Sequence, residues 1–400
     1  VSPADGARRR APRRDRPTLE QLVAAKEIVV CCGPGGVGKT TTAAAIGAMA
    51  AGQLGARVLV LTVDPARRLA DALGIDEFGN AAHQVPEAVL AAAGLGTRGQ
   101  LWAAMLDTKA SWDDLVRRHA PDARTRDTIL ANRLYTNITG TFVQSHDYIA
   151  MERLHELHTS GDYDLVVVDT PPSRNALDFL DAPARMADFF GGRLLRWLTV
   201  PYRSRLVTLA SKPFYQLADR ILGSQFLQEI AEFFVLFQTM EGGFRDRARA
   251  VERTLHDPGT TFVVVSTLEA VPAGEAAFFC DELARRDLHL GALVLNKVLP
   301  DVLRDPAARS AAAAIGADPA GVASAVRAAL GEPAPGAGLL AGVLAEVAGG
   351  FVDYESAAAR AAELRAELAP AADLVVEVPL LADDLTDVAA LAALARAIWS

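Results

Sequence analysis

Cysteine is scarce in this chain, with three residues and no C-x-x-C pair. A disulfide framework is thereby excluded, and no zinc or iron–sulfur ligand set stands out. Cys31 and Cys32 are neighbours in an apolar run, so as strand residues they point to opposite faces and read as core. No apolar run approaches the roughly 18–20 residues that a membrane span needs. Basic charge is short as well: 40 Lys and Arg stand against 49 Asp and Glu, a formal charge of −9. That balance argues against a dedicated nucleic-acid binder. No internal repeat is visible. What remains is a globular composition, 51% hydrophobic and 22% charged over 400 residues. It suits one large α/β domain or two ordinary ones.

The N-terminus carries Arg8, Arg9, Arg10, Arg13, Arg14 and Arg16, but no long apolar segment follows, so it is not a secretory signal. Residues 1–25 read as a solvated, disordered basic tail. The alternative is weak attraction to anionic lipid or nucleic acid. A reduced, cytoplasmic location is expected.

Residues 33–40, Gly-Pro-Gly-Gly-Val-Gly-Lys-Thr, fit the phosphate-loop pattern G-x-x-x-x-G-K-[ST]. They follow an apolar strand-like run and open a helix-like one, Thr41 to Ile46, which is the context the pattern requires. Gly33, Gly35, Gly36, Val37, Gly38 and Thr41 are expected to cradle phosphate with backbone N–H groups, helped by the helix N-terminus. Lys39 should reach the β- and γ-phosphates, and the Thr40 hydroxyl should ligate Mg2+. ATP and Mg2+ are the implied substrate and cofactor.

Beyond this loop, β-branched runs alternate with helical stretches, the mark of a parallel sheet wrapped by helices. Strands are predicted at 27–32, 57–63, 164–168, 261–266, 291–295 and 374–378. Four of them end at a polar signal: Gly33, Asp64, Asp169 and Asn296. In open α/β sheets ligands bind beyond the carboxyl ends of the strands, so the four describe one site. Asp169 ends a hydrophobic strand as a Walker-B carboxylate does and can hold Mg2+. Asp64 can polarise the water in line with the γ-phosphate. Either aspartate could instead be a helix N-cap. The Asn296 amide offers a donor and an acceptor, which suits the edge of adenine.

Two intervals, about 97–160 and 176–255, read as helical and as the source of a helical subdomain. Nine of the fifteen phenylalanines lie between 179 and 244. Phe226, Ile230, Phe233, Phe234 and Phe237 follow helical spacing. They form either a subdomain core or an apolar groove for a client. His155 and His158, beside Glu152 and Glu156, lack H-E-x-x-H spacing and read as a solvated polar face. Residues 305–375 read as alanine-rich helices joined by a flexible loop at 331–338.

Together, Gly33–Thr42, Val63-Asp64-Pro65-Ala66, Asp169-Thr170-Pro171-Pro172-Ser173, Leu295-Asn296-Lys297 and Val378-Pro379-Leu380-Leu381 resemble the ArsA-type ATPases. These belong to the wider deviant-Walker group of MinD, ParA and nitrogenase iron protein. Within the family the chain is most similar to actinobacterial ArsA-like proteins that occur as paired, non-identical subunits. The resemblance covers about residues 26–398. It implies an α/β, mostly parallel phosphate-loop NTPase sheet flanked by helices, with a helical subdomain, in a dimer that closes over two nucleotides. It makes Asp64 the hydrolytic switch I residue, Asp169 the switch II residue on the magnesium side, Asn296 the adenine reader, and Pro379 part of the adenine-side loop.

Three departures qualify the resemblance. The family's signature lysine, which reaches across the dimer to the partner's phosphates, is Pro34 here. The arsenite-binding cysteines of the pump ATPases have no counterpart. The zinc-binding C-x-x-C of the eukaryotic tail-anchored-protein targeting factor is missing, so no zinc is expected. The reading is an ATPase coupled to an apolar client or membrane partner. It works as a homodimer or, given Pro34, rather as a heterodimer with a paralogue that keeps the lysine. The alternatives are a weakly catalytic ATP-holding subunit, an arsenite-pump ATPase, and a ParA-like partitioning protein that grips DNA.

Overall fold

All six apolar runs form strands, each paired within one sheet. The inner ones are buried on both faces, whereas the edge run at Leu374–Pro379 buries one face and leaves the other partly exposed. A computed structural model describes residues 17–63, 68–75, 79–132, 134–136, 139, 143–171, 180–182, 185, 188, 233–235, 239–331, 335–381 and 387–399. The strands are β1 (Ile28–Cys32), β2 (Arg57–Thr62), β3 (His83–Gln84), β4 (Gln100–Met105), β5 (Leu165–Asp169), β6 (Thr260–Thr267), β7 (Leu290–Val298) and β8 (Leu374–Pro379). They form one sheet in the order β3-β4-β2-β5-β1-β6-β7-β8. Every pairing is parallel except β3 with β4. β1 therefore lies inside the sheet, between β5 and β6, and delivers the phosphate-loop sequence to its middle.

Alternate residues of these strands enter separate cores on the two faces of the sheet, two large ones and a small one around Leu59, Leu61, Ala104 and Leu157. Ile28, Val30 and Cys32 join Val166, Val168, Phe262 and Val264 on one face. Val29 and Cys31 join Val58, Val60, Val167 and Val263 on the other. Cys31 and Cys32 are both buried and free, on opposite faces as expected. Helices Val143–Thr159, Glu241–Leu255 and Ala270–Arg285 cover the first face. Helices Lys39–Met49 and Val388–Trp399 cover the second.

Four expectations need correction. The interval 97–160 is not wholly helical, because residues 100–105 form β4. Ala103, Ala104 and Met105 lack strand propensity, and pairing with β2 overrides it. The tail predicted over 1–25 already holds a helix at Leu19–Ala24. A capping box between Thr18 and Gln21 starts it, and Leu19 and Val23 are buried. Residues 1–16 lie outside the described ones. The face at 152–158 is not simply solvated: Glu152 is buried and ion-paired with Arg247. Finally, residues 337–371 are long and apolar enough to cross a membrane by length and composition, and their most apolar part is only 6% buried.

Between β7 and β8 the alanine-rich stretch forms helices Pro306–Ala317, Pro319–Leu330 and Ala337–Leu368. Asp305 and Asp318 cap the first two, each followed by proline at the first helical position. Of the phenylalanine-rich segment, Phe233 and Phe244 are described as buried in the first core. Phe226, Ile230 and Phe237 lie outside the described residues.

Candidate nucleotide site

β1 ends at Cys32, the chain turns through residues 33–38, and a helix starts at Lys39. Two glycines are dictated by close approach. Gly33 has φ +140°, and a Cβ there would stand 2.1 Å from the Val265 carbonyl oxygen of β6. Gly38 has φ +96°, and a Cβ would meet Asn296 Nδ2 at 2.5 Å. The tip of the loop is open: Gly35 and Gly36 are exposed, and nothing lies within 4 Å of a Cβ built on Gly36. The helix begins with no side-chain cap, so no side chain competes for its first N–H groups. An open loop over an uncapped helix start suits an anion. Val37 is buried beneath the loop.

Lys39 is 8% exposed and donates from Nζ to the Pro34 carbonyl at 2.8 Å. Its charge is thus held over the loop rather than in solvent. Thr41 donates to the Gly38 carbonyl at 2.9 Å. Thr40 points the other way and donates from Oγ1 to Asp169 Oδ2 at 2.7 Å. Asp169 has no exposed surface and closes β5, beside β1. Thr62, at the end of β2, donates to the same Oδ2 at 2.9 Å. Thr170 donates from Oγ1 to the Cys31 carbonyl at 2.9 Å, fastening the turn after β5 to β1.

Asn296 is placed by β7 against the loop. Its Nδ2 donates to the Val37 carbonyl at 2.8 Å, and its Oδ1 accepts from Lys297 N at 2.9 Å. In this conformation the amide therefore clamps the loop. Pro379 is exposed at the end of β8, in register with Val298, two residues beyond Asn296. Asp64 follows β2 but, with Pro65, Ala66, Pro172 and Ser173, lies outside the described residues.

The donor set fits a magnesium-bound nucleotide. Thr40 and Asp169 present oxygen ligands of the kind this hard cation takes, and magnesium commonly uses one or two protein oxygens plus phosphates. Among the described residues no group of three His, Cys, Asp or Glu side chains would hold a metal by itself. Cys31, directly below, is no candidate nucleophile. Its thiol is pushed far above the usual range by burial first and by the Asp169 charge second.

Thr62 is the polar site residue that sequence reasoning missed. It lies next to apolar strand residues, where the β-propensity of threonine conceals its hydroxyl.

A second charged cluster lies between helices Thr108–His119, Val143–Thr159 and Glu241–Leu255, around a cavity of about 250 Å3. Glu152 pairs with Arg247, and Glu156 with Arg118 and Arg153. Burial raises the Glu152 carboxyl, opposed by Arg247. Its carboxylates are already matched by arginines, which makes it a tie between helices.

Comparison with known proteins shows the family. The family model described as anion-transporting ATPase, of the ArsA type, matches residues 26–314. An uncharacterized protein of Streptomyces coelicolor is 33% identical over 275 residues, 67% of this chain and 62% of its own length. The ATPase GET3 of Malassezia globosa is 25% identical over 285 residues, covering 71% of this chain and 76% of the relative. Its counterpart in Schizosaccharomyces pombe is 25% identical over 289 residues, 71% of this chain and 78% of the relative.

Proposed function

The chain belongs to the ArsA-type family of ATPases, and from that premise we propose that it binds ATP with magnesium and hydrolyses it to ADP and phosphate. One observation carries the reading: Lys39, Thr40 and Asp169 meet at an open, uncapped helix start where Gly33 and Gly38 have no room for side chains.

In this reading the N–H groups of residues 35–41 hold the phosphates, and Lys39 leaves the Pro34 carbonyl for the terminal phosphate. Thr40 and Asp169 hold magnesium, which neutralises charge as the terminal P–O bond breaks. Asp64, two residues past Thr62, orients the attacking water. Asn296 and Pro379 border the base. The nucleotide cycle closes and opens a dimer in the cytoplasm, and the phenylalanine-rich region at 179–244 uses that movement on an apolar client or membrane partner.

The test is phosphate release by purified protein. Mg2+-dependent release that Lys39→Ala abolishes is expected, and release untouched by Lys39→Ala would refute the assignment.

Pro34 favours a second reading. It stands where the family has its signature lysine, so a homodimer of this chain would lack that cation at both sites. A cation supplied in trans is worth about 10³–10⁵ in rate in related enzymes. On this reading turnover is slow alone and rises with a lysine-bearing paralogue. Full-speed hydrolysis by the isolated chain, unchanged by any paralogue, would remove it.

A further inference from the structure

Thr62 is fully buried in an otherwise apolar strand, Arg57 aside. A hydroxyl in that setting costs stability unless it is bonded, and valine would fill the same space. Thr62 donates to Asp169 Oδ2, at 2.9 Å. Two backbone features hold the pair in place. Thr62 is the register partner of Asp169, and the Val63 N–H donates to the Asp169 carbonyl at 3.0 Å. Thr40 reaches the same carboxylate oxygen from the opposite element, the helix after the loop. The carboxylate is thus gripped from the sheet by Thr62 and from the helix by Thr40. A carboxylate that serves a hard cation must keep its oxygens in a set direction, and a hydrogen bond from a rigid strand supplies that. The Thr62 hydroxyl is directed at Asp169 Oδ2, so its role is assigned through that carboxylate and not as a ligand.

We infer that Thr62 is a positioning residue for magnesium: its hydroxyl holds the Asp169 carboxylate in the orientation that receives the cation. The inference rests on the magnesium–ATP reading above.

The test is titration of the full chain with a fluorescent N-methylanthraniloyl ATP, with Mg2+ and again with EDTA. In the Mg2+ series Thr62→Val is expected to weaken apparent metal affinity by about 10–100-fold, the usual effect of removing an outer partner of a metal ligand. Its EDTA affinity should match the wild type. Thr62→Ser keeps the hydroxyl and should keep the metal affinity. If Thr62→Val does not fold, Thr62→Ala carries the same expectation. Unchanged metal affinity in the hydroxyl-free variant overturns the inference, as does an equal loss with and without Mg2+. A wild-type chain that gains nothing from Mg2+ would instead sink the ATP reading itself.

Discussion

Gly38 combines φ +96° with a Cβ position 2.5 Å from Asn296 Nδ2, so Gly38→Ala must strain the backbone and displace the amide. A positive φ alone costs a non-glycine residue about 1–2 kcal/mol, and ATP binding should be lost with it. A variant that binds ATP normally in a titration would contradict this geometry. Asn296→Ala leaves the Val37 carbonyl without its side-chain donor. Removing one partner of a buried hydrogen bond costs about 1–3 kcal/mol, so chemical denaturation of the nucleotide-free protein should shift by that much. Lys39, Thr40 and Asp169 were legible in the sequence because spacing and flanks force them to one strand-end cluster. The double use of the Asn296 amide was not: a single asparagine suits adenine or a backbone carbonyl equally, and only the approach of β7 decides.

At the scale of elements, a buried ion pair joins the helix before β5 to the helix before β6. Glu152 is 5% exposed and Arg247 18%. Arg247→Ala would leave the carboxylate uncompensated, a loss of about 3–5 kcal/mol for a buried pair. Glu152→Gln with Arg247→Met removes both charges and should cost much less, as denaturation of both variants would reveal. An equal loss in the two would mean that packing, not charge, dominates there. The six long apolar strands announce themselves through continuous β-branched runs. β4 does not, because its alanines fit a helix equally well and only the neighbouring β2 selects the strand. The pairing of Glu152 with Arg247 also joins residues 95 positions apart, beyond what local spacing can express.

For the molecule as a whole, acid should weaken the fold in a defined window. Burial is the first cause that lowers both the His119 and the His155 imidazoles, followed by Arg247 for His119 and His158 for His155. The native chain therefore binds fewer protons than the unfolded one below the ordinary value of about 6.5. This contribution to stability is complete above that pH and lost as pH falls through the depressed native values. His155→Gln should flatten the fall in unfolding temperature between about pH 7.5 and 5.5. A slope identical to the wild type would show that His155 titrates normally. The long helix Ala337–Leu368 exposes Leu339 at 70% and Val347 at 58%. Replacing both with glutamine should alter stability by no more than about 0.5 kcal/mol, as for other surface sites.

The central claim is that each chain holds one ATP on residues 33–40, with its magnesium between Thr40 and Asp169. Isothermal titration of the purified protein with ATP, with and without Mg2+, tests it most directly. One ATP per chain is predicted, tighter with Mg2+, with binding lost in Lys39→Ala and the Mg2+ gain lost in Asp169→Asn. Absence of binding, or binding that survives Lys39→Ala at full strength, would contradict it.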